Sequence, residues 1–238
     1  MVPSLHHQRS LKGVVYIACW VGVLVAGCHI GQDYVPDAMA TTDGPVAGSP
    51  GLNVSWSTKP TIPGDLGNGI RVDSAIFKLD TFRVIGDAGD THTTKSGFDL
   101  AWSGGVKPDK IAFADAPTGL YSRVSIQADG HIVAYSYVIN GSVKVGSNTY
   151  DLRVNDRNAV NVSVIIDQML LPGKSETIQL ELQLQPALNA VDWSVINHDD
   201  GKVELDTTDP QMPAFRAALI QGFVVVSSGQ PGGGPAPP

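Results

Sequence analysis

Cysteine is almost missing from this chain: two in 238 residues, Cys19 and Cys28. A disulfide framework is excluded, so a folded domain here has to rest on its hydrophobic core. Charge is also sparse, at 16% of residues, and the balance is acidic with a net charge of −7. No Lys/Arg cluster stands out against that acidity, which argues against a nucleic-acid partner. Long apolar runs are missing too. The longest uncharged apolar stretch, Gly13 to Val25, has thirteen residues. A helix of that length rises about 20 Å, short of the roughly 30 Å of bilayer hydrocarbon. Nor is there a Gly-x-Ser-x-Gly elbow, a phosphate-binding glycine loop, or a His pair at helical spacing beside an acid. Nothing in the sequence requires a cofactor.

What is present is turn chemistry and apolar side chains. Hydrophobic residues make up 42%, with 26 glycines and 16 prolines. That mixture fits one folded, turn-rich domain with a mainly β architecture.

The N-terminus reads as an address. Arg9 and Lys12 precede the uncharged run, which closes in Val25-Ala26-Gly27-Cys28. This order of short positive opening, apolar run and small residues before Cys resembles the lipobox of bacterial lipoproteins. The resemblance implies a signal peptide over 1–27, cleavage before Cys28, and diacylglycerol on the Cys28 thiol. Cys28 would then be the only thiol of the mature chain, which carries 14 basic and 23 acidic residues, or −9 (Arg9 and Lys12 being removed). His29 stands where an Asp often retains lipoproteins at the inner membrane, so its presence leans toward the outer membrane in a Gram-negative envelope. The expected partner is a membrane, reached through the lipid.

Residues 28–50 are Asp, Pro, Ala, Thr, Gly and Ser with little to bury and read as a tether; 227–238 reads as a Gly/Pro tail. The domain is expected over 51–226. Period-two alternation marks strands at 52–56, 70–85, 98–102, 110–113, 120–128, 132–139, 142–145, 149–154, 159–166 and 177–184. In 70–85 the register slips between Leu79 and Phe82, which predicts a bulge or break. Asp129-Gly130 and Asn140-Gly141 read as hairpin turns joining an antiparallel meander. Residues 186–193 predict one or two helical turns. Beyond a short strand at 202–205, Asp209-Pro210 reads as the start of a helix carrying Met212, Phe215, Leu219 and Ile220, stopped by Gly222, before a last strand at 223–226. The expected fold is an antiparallel β-sandwich with one or two short C-terminal helices, a closed barrel being second.

Phe113-Ala114-Asp115-Ala116-Pro117-Thr118-Gly119-Leu120-Tyr121, with the later Leu171-Pro172-Gly173, resembles transthyretin-like sandwich domains of bacterial lipoproteins. There a Pro-x-Gly-x-Tyr turn feeds a strand, and the resemblance implies a sandwich but no activity. Pro117 fixes φ and Gly119 opens the left-handed region.

Candidate sites are few. Asp199, Asp200 and Glu204, around Gly201, could offer hard oxygens to Ca²⁺, although the spacing is not that of an EF-hand. Tyr135 and Tyr137 fall on one face of the predicted 132–139 strand; the pair is expected to pack in the sandwich or under a loop, and if it faces outward it could form a binding platform for a protein or glycan. Asn155-Asp156-Arg157-Asn158 reads as a solvated turn. The expectation is a non-catalytic envelope lipoprotein; the alternative is a hydrolytic or metal-dependent enzyme whose site the sequence hides.

Overall fold

A computed structural model describes residues 50–130 and 134–226. The signal segment, Cys28, His29, the tether up to residue 49, residues 131–133 and the 227–238 tail lie outside the described residues. The described chain is mainly β and sandwich-like. Its strands are β1 (Gly51–Lys59), β2 (Gly64–Gly67), β3 (Ile70–Gly86), β4 (Thr94–Ser103), β5 (Ile111–Phe113) and β6 (Gly119–Ala128). After these come β7 (Tyr137–Val145), β8 (Asn148–Asp156), β9 (Val160–Leu170), β10 (Ser175–Gln183), β11 (Lys202–Leu205) and β12 (Phe223–Val225). The helices are α1 (Gln185–Asn189) and α2 (Met212–Gln221). No helix among the described residues is long and apolar enough to cross a membrane.

One sheet has the order β12-β10-β1-β5 and the other β11-β8-β7-β3-β6-β9, with β2 and β4 also paired to β3. Most pairs are antiparallel, but β1 runs parallel to β10 and β11 parallel to β8. The alternation in β10 faces inward as expected, with Ile178, Leu180 and Leu182 buried.

The larger sheet is not the expected meander. β4 lies along one edge of β3, pairing residues 74–83. Along the other edge, β7 pairs residues 70–77 and β6 pairs residues 79–86. β6 and β7 are therefore collinear, two segments of one line interrupted opposite Lys78. There the Lys78 carbonyl accepts from Asp129 N–H (3.0 Å) and its N–H donates to Ser136 (2.9 Å). β7 thus rejoins the same edge of β3 that β6 leaves. The bulge expected after Leu79 is real and sits beside this break, as a register shift between Leu79 and Thr81.

Two turn expectations are thereby corrected. Asp129-Gly130 does not reverse the chain; it opens the β6–β7 connection, whose base is so tight that a Cβ on Gly130 would lie 2.3 Å from the Ala134 carbonyl. Asn140-Gly141 lies inside β7, where a Cβ on Gly141 would come 1.9 Å from the Arg71 carbonyl. Glycine serves close backbone approach at both places rather than a turn. The actual reversal is at Gly146-Ser147, with Gly146 at φ +61° and Val145 paired to Asn148. The predicted strand at 132–139 likewise begins only at Tyr137. Helix α2 starts later than expected, because Asp209 spends its carboxylate on Gln211 N–H (2.7 Å) and leaves Gln211 as the residue before the helix.

Chain connections give the sandwich two ends. At the near end, where the described chain begins, Gly51 N–H donates to Lys174 (3.0 Å), and Asp87 N–H donates to Leu120 (3.0 Å). The β9–β10 turn and the start of β6 share this end. β1 and β10 both run to the far end, where Leu184 N–H meets the Lys59 carbonyl (3.1 Å) and Lys144 N–H meets Gly69 (2.8 Å). The core carries two aromatic groups: Trp56, Phe82 and Phe113 in one, and Phe77, Trp102, Tyr137, Phe215 and Phe223 in the other. Edge-on and offset contacts of this kind add about 0.5–1.5 kcal/mol per pair beyond area burial.

Candidate functional site

The structure separates the two tyrosines expected on one face. Tyr137 is fully buried, stacked between Phe77 and Phe215 at 5.6 and 6.2 Å. Tyr135 precedes the strand, partly exposed, with the guanidinium groups of Arg153 and Arg157 over its ring at 5.6 and 5.1 Å. No two-tyrosine platform exists. The reason is the strand break: residues 134–136 are not in the sheet, so period two does not apply to them. Trp56, Trp102 and Trp193 are buried as well.

Tyr137 leads to the most concentrated chemistry in the domain. Its hydroxyl donates to Asp156 Oδ2 (3.1 Å), and the same oxygen accepts from Arg216 Nε (2.6 Å). Asp156 Oδ1 accepts from Asn158 N–H (3.0 Å), and the Asp156 carbonyl accepts from Ser136 N–H (2.7 Å). Asp156 is wholly buried, so the solvated turn expected at 155–158 is corrected. Asn155 is buried too, with its amide on Glu204. A sequence signal existed: Leu152, Val154 and Asp156 share one inward row of β8, which makes the carboxylate a core position. Burial and the neighbouring carboxylate push the Tyr137 hydroxyl far above the ordinary tyrosine value, so it stays a donor. The hydrogen bond to Asp156 raises Arg216 above its ordinary value and keeps it charged. This cluster fastens α2 to the sheet beside the break between β6 and β7. Its buried oxygens already have protein partners, and its chemistry is cohesion.

The calcium candidates do not converge. Asp200 is exposed and left-handed at φ +55°, while Glu204 turns to Asn155 and, at 3.8 Å, to Arg153. The Asp199 side chain lies outside what the structure describes. Among the described residues no group of three or more His, Cys, Asp or Glu is placed to hold a metal ion. His92 is exposed; His198 sits 3.1 Å from the Trp193 carbonyl and against the Tyr150 ring.

A cleft of about 480 Å³ opens at the far end, a feature the sequence did not reveal. Its lining includes Asn68, Lys144, Asp192 and Ser194 together with Leu188 and Trp193. Trp193 is held in place by its indole N–H on the Leu188 carbonyl (2.9 Å). Ser194 donates its hydroxyl (2.6 Å) and its N–H (3.0 Å) to Asp192, which holds that carboxyl below the ordinary value. The cleft thus offers one cation and one anion beside an apolar floor.

The near-end turn matches its expected chemistry. Gly119 takes φ +143°, and buried Tyr121 folds back so that its hydroxyl donates to Pro117 (2.6 Å). No family model matches the chain, and neither a curated protein nor a solved structure matches it.

Proposed function

We propose that this chain is a cell-envelope lipoprotein, held to a membrane by diacylglycerol on Cys28, whose β-domain serves as a non-catalytic binding or structural module. The observation that carries this reading is Val25-Ala26-Gly27-Cys28 at the end of a short, uncharged run behind Arg9 and Lys12. A thirteen-residue run is the length of a signal-peptide core and too short to span. His29, rather than Asp, favours the outer membrane.

Two structural facts support the module part. The buried Asp156 carboxylate is engaged within the fold, Arg216 and Tyr137 both bonding to it. The open cleft instead has both Lys144 and Asp192 in its lining, together with Trp193, a set suited to holding a small polar group or a partner's side chain. A glycan or envelope protein is the class of partner such a cleft could serve.

The test is metabolic labelling with a palmitate analogue in a host that processes lipoproteins. Wild type should label and Cys28→Ala should not; equal labelling would remove the anchor from this account.

A further inference from the structure

The near end of the sandwich carries apolar side chains that its own fold leaves uncovered. Met169 is 49% exposed and Leu171 53% exposed. Leu120 is Met169's partner across the β6–β9 pair, so the two side chains stand side by side on one face. Leu171 then begins a turn through Pro172 and Gly173, closed by Lys174 N–H on the Leu171 carbonyl (3.1 Å). Gly173, at φ +69°, allows the reversal. Lys174 is exposed at its edge, and the Lys174 carbonyl is the one that receives Gly51 N–H. The chain arriving from Cys28 therefore joins the domain beside this tip. Of the acids at this end, Asp87 uses its carboxylate on Leu120 N–H (3.4 Å) and Glu176 accepts from the Gln168 amide (3.1 Å), while Asp115 is exposed in the β5–β6 connection. Asp167 separates Ile165 from Met169 along the outward row of β9, so the tip is Leu120, Met169 and Leu171 alone.

We infer that this tip rests on the lipid bilayer to which the chain is anchored, with Met169 and Leu171 entering the interface and Lys174 at the level of the headgroups. The inference rests on the lipid-anchor reading of Cys28. Residues 29–50 could reach under about 80 Å fully extended, beyond the roughly 56 Å of the seventeen-residue β3. Tether length alone would thus allow any face to meet the membrane. Val195 is uncovered as well, at 70%, but lies at the far end; the entry of the chain at Gly51 beside Met169 and Leu171 is what favours the near end. Anchoring also keeps the bilayer at high effective concentration, so a few side chains suffice to set orientation. The far-end cleft would then point away from the lipid.

The experiment uses the full chain, expressed and lipidated in a processing host and reconstituted in vesicles of phosphatidylethanolamine with a minority of phosphatidylglycerol. Leu171→Cys and, separately, Val195→Cys carry a polarity-sensitive dye; Val195 is 70% exposed near the cleft. With Cys28 acylated, the introduced thiol is the only one free. The protein should float with the vesicles, and the dye at 171 should shift to the blue and lose quenching by aqueous iodide. The dye at 195 should do neither. A second variant, Met169→Asp with the dye at 171, should lose the shift while still floating. Protein that floats with 171 as quenchable as 195 overturns the docking and leaves the anchor standing. Protein that does not float overturns the anchor and the docking with it. A blue shift that grows with protein density at fixed lipid, or persists in detergent, overturns the lipid assignment in favour of a second copy of the chain.

Discussion

The near half of the sandwich and the far half, divided at Lys78, are closed by different physics. In the near half, β6, β9 and the second part of β3 bury a purely apolar group, with Trp56, Phe82 and Phe113 in contact. Its end is sealed by backbone hydrogen bonds such as Lys174 N–H to Leu171 and Asp87 N–H to Leu120, with the Tyr121 hydroxyl on Pro117, and Met169 and Leu171 face outward. In the far half, β7, β8, β11 and α2 meet around a buried carboxylate, and the leftover surface is a polar-walled cleft. The difference shows where charge is needed. A helix lying over an interrupted sheet meets unpaired backbone groups, and Asp156 satisfies Ser136 and Asn158 while holding Arg216 on α2. The near half has register shifts within β3, β6 and β9 but no such break, and among its described residues no ion pair is buried.

The contrast breaks most visibly at Arg216. Arg216→Met leaves the Asp156 carboxylate buried with Tyr137 as its remaining side-chain donor, and should cost about 3–5 kcal/mol in urea unfolding. Adding Asp156→Asn should recover a large part of that loss. A loss under about 1 kcal/mol for the single variant would mean the pair contributes little to holding α2, as exposed pairs do.

Gly141→Ala comes next. Its Cβ has to displace the Arg71 carbonyl, and overpacking of this kind costs about 1–3 kcal/mol. The same unfolding measurement checks it, and a neutral result would restore Asn140-Gly141 as a turn.

Tyr121→Phe tests the near half. The buried hydroxyl is raised above its ordinary value by desolvation, so it is a proton donor at neutral pH. Losing its bond to Pro117 should cost about 1 kcal/mol, well below the Arg216 effect. Equal losses at the two sites would erase the distinction between the halves.

The smallest effect concerns acid. Asp206, partly exposed beyond β11, is held below the ordinary carboxylate value chiefly by the Thr208 hydroxyl (2.7 Å), then by the Thr208 N–H. A depressed folded value contributes stability above the unfolded value of about 3.9, which is lost as pH falls through the folded one. Thr208→Val should move the Asp206 titration, followed by NMR, up toward the ordinary value, with only a small change in stability at low pH. No movement would remove the hydroxyl as the cause.

Much of this architecture was legible in the residues. Period-two runs located nine of the twelve strands at least in part, because inward side chains such as Ile178, Leu180 and Leu182 alternate cleanly, and the short strands read at 202–205 and 223–226 match two more. β2, Gly-Asp-Leu-Gly, has too few apolar residues to announce itself. The connectivity was hidden for a different reason. Asp-Gly and Asn-Gly favour turns locally, but whether the chain reverses or rejoins the same edge depends on β3, some fifty residues away, occupying the space between. The Asp156 cluster was half legible: the inward row through Leu152 and Val154 pointed to it, while Arg216, sixty residues on, could be assigned only once α2 was placed. The cleft draws on loops from three parts of the chain and left no local pattern.

The central claim is the proposed attachment at Cys28, since both the envelope reading and the membrane docking of the near end rest on it. Mass spectrometry of the N-terminal peptide from membrane-extracted protein tests it most directly. The account predicts a chain beginning at Cys28, its thiol carrying diacylglycerol. A chain that begins elsewhere, with Cys28 bearing a free thiol, would contradict it.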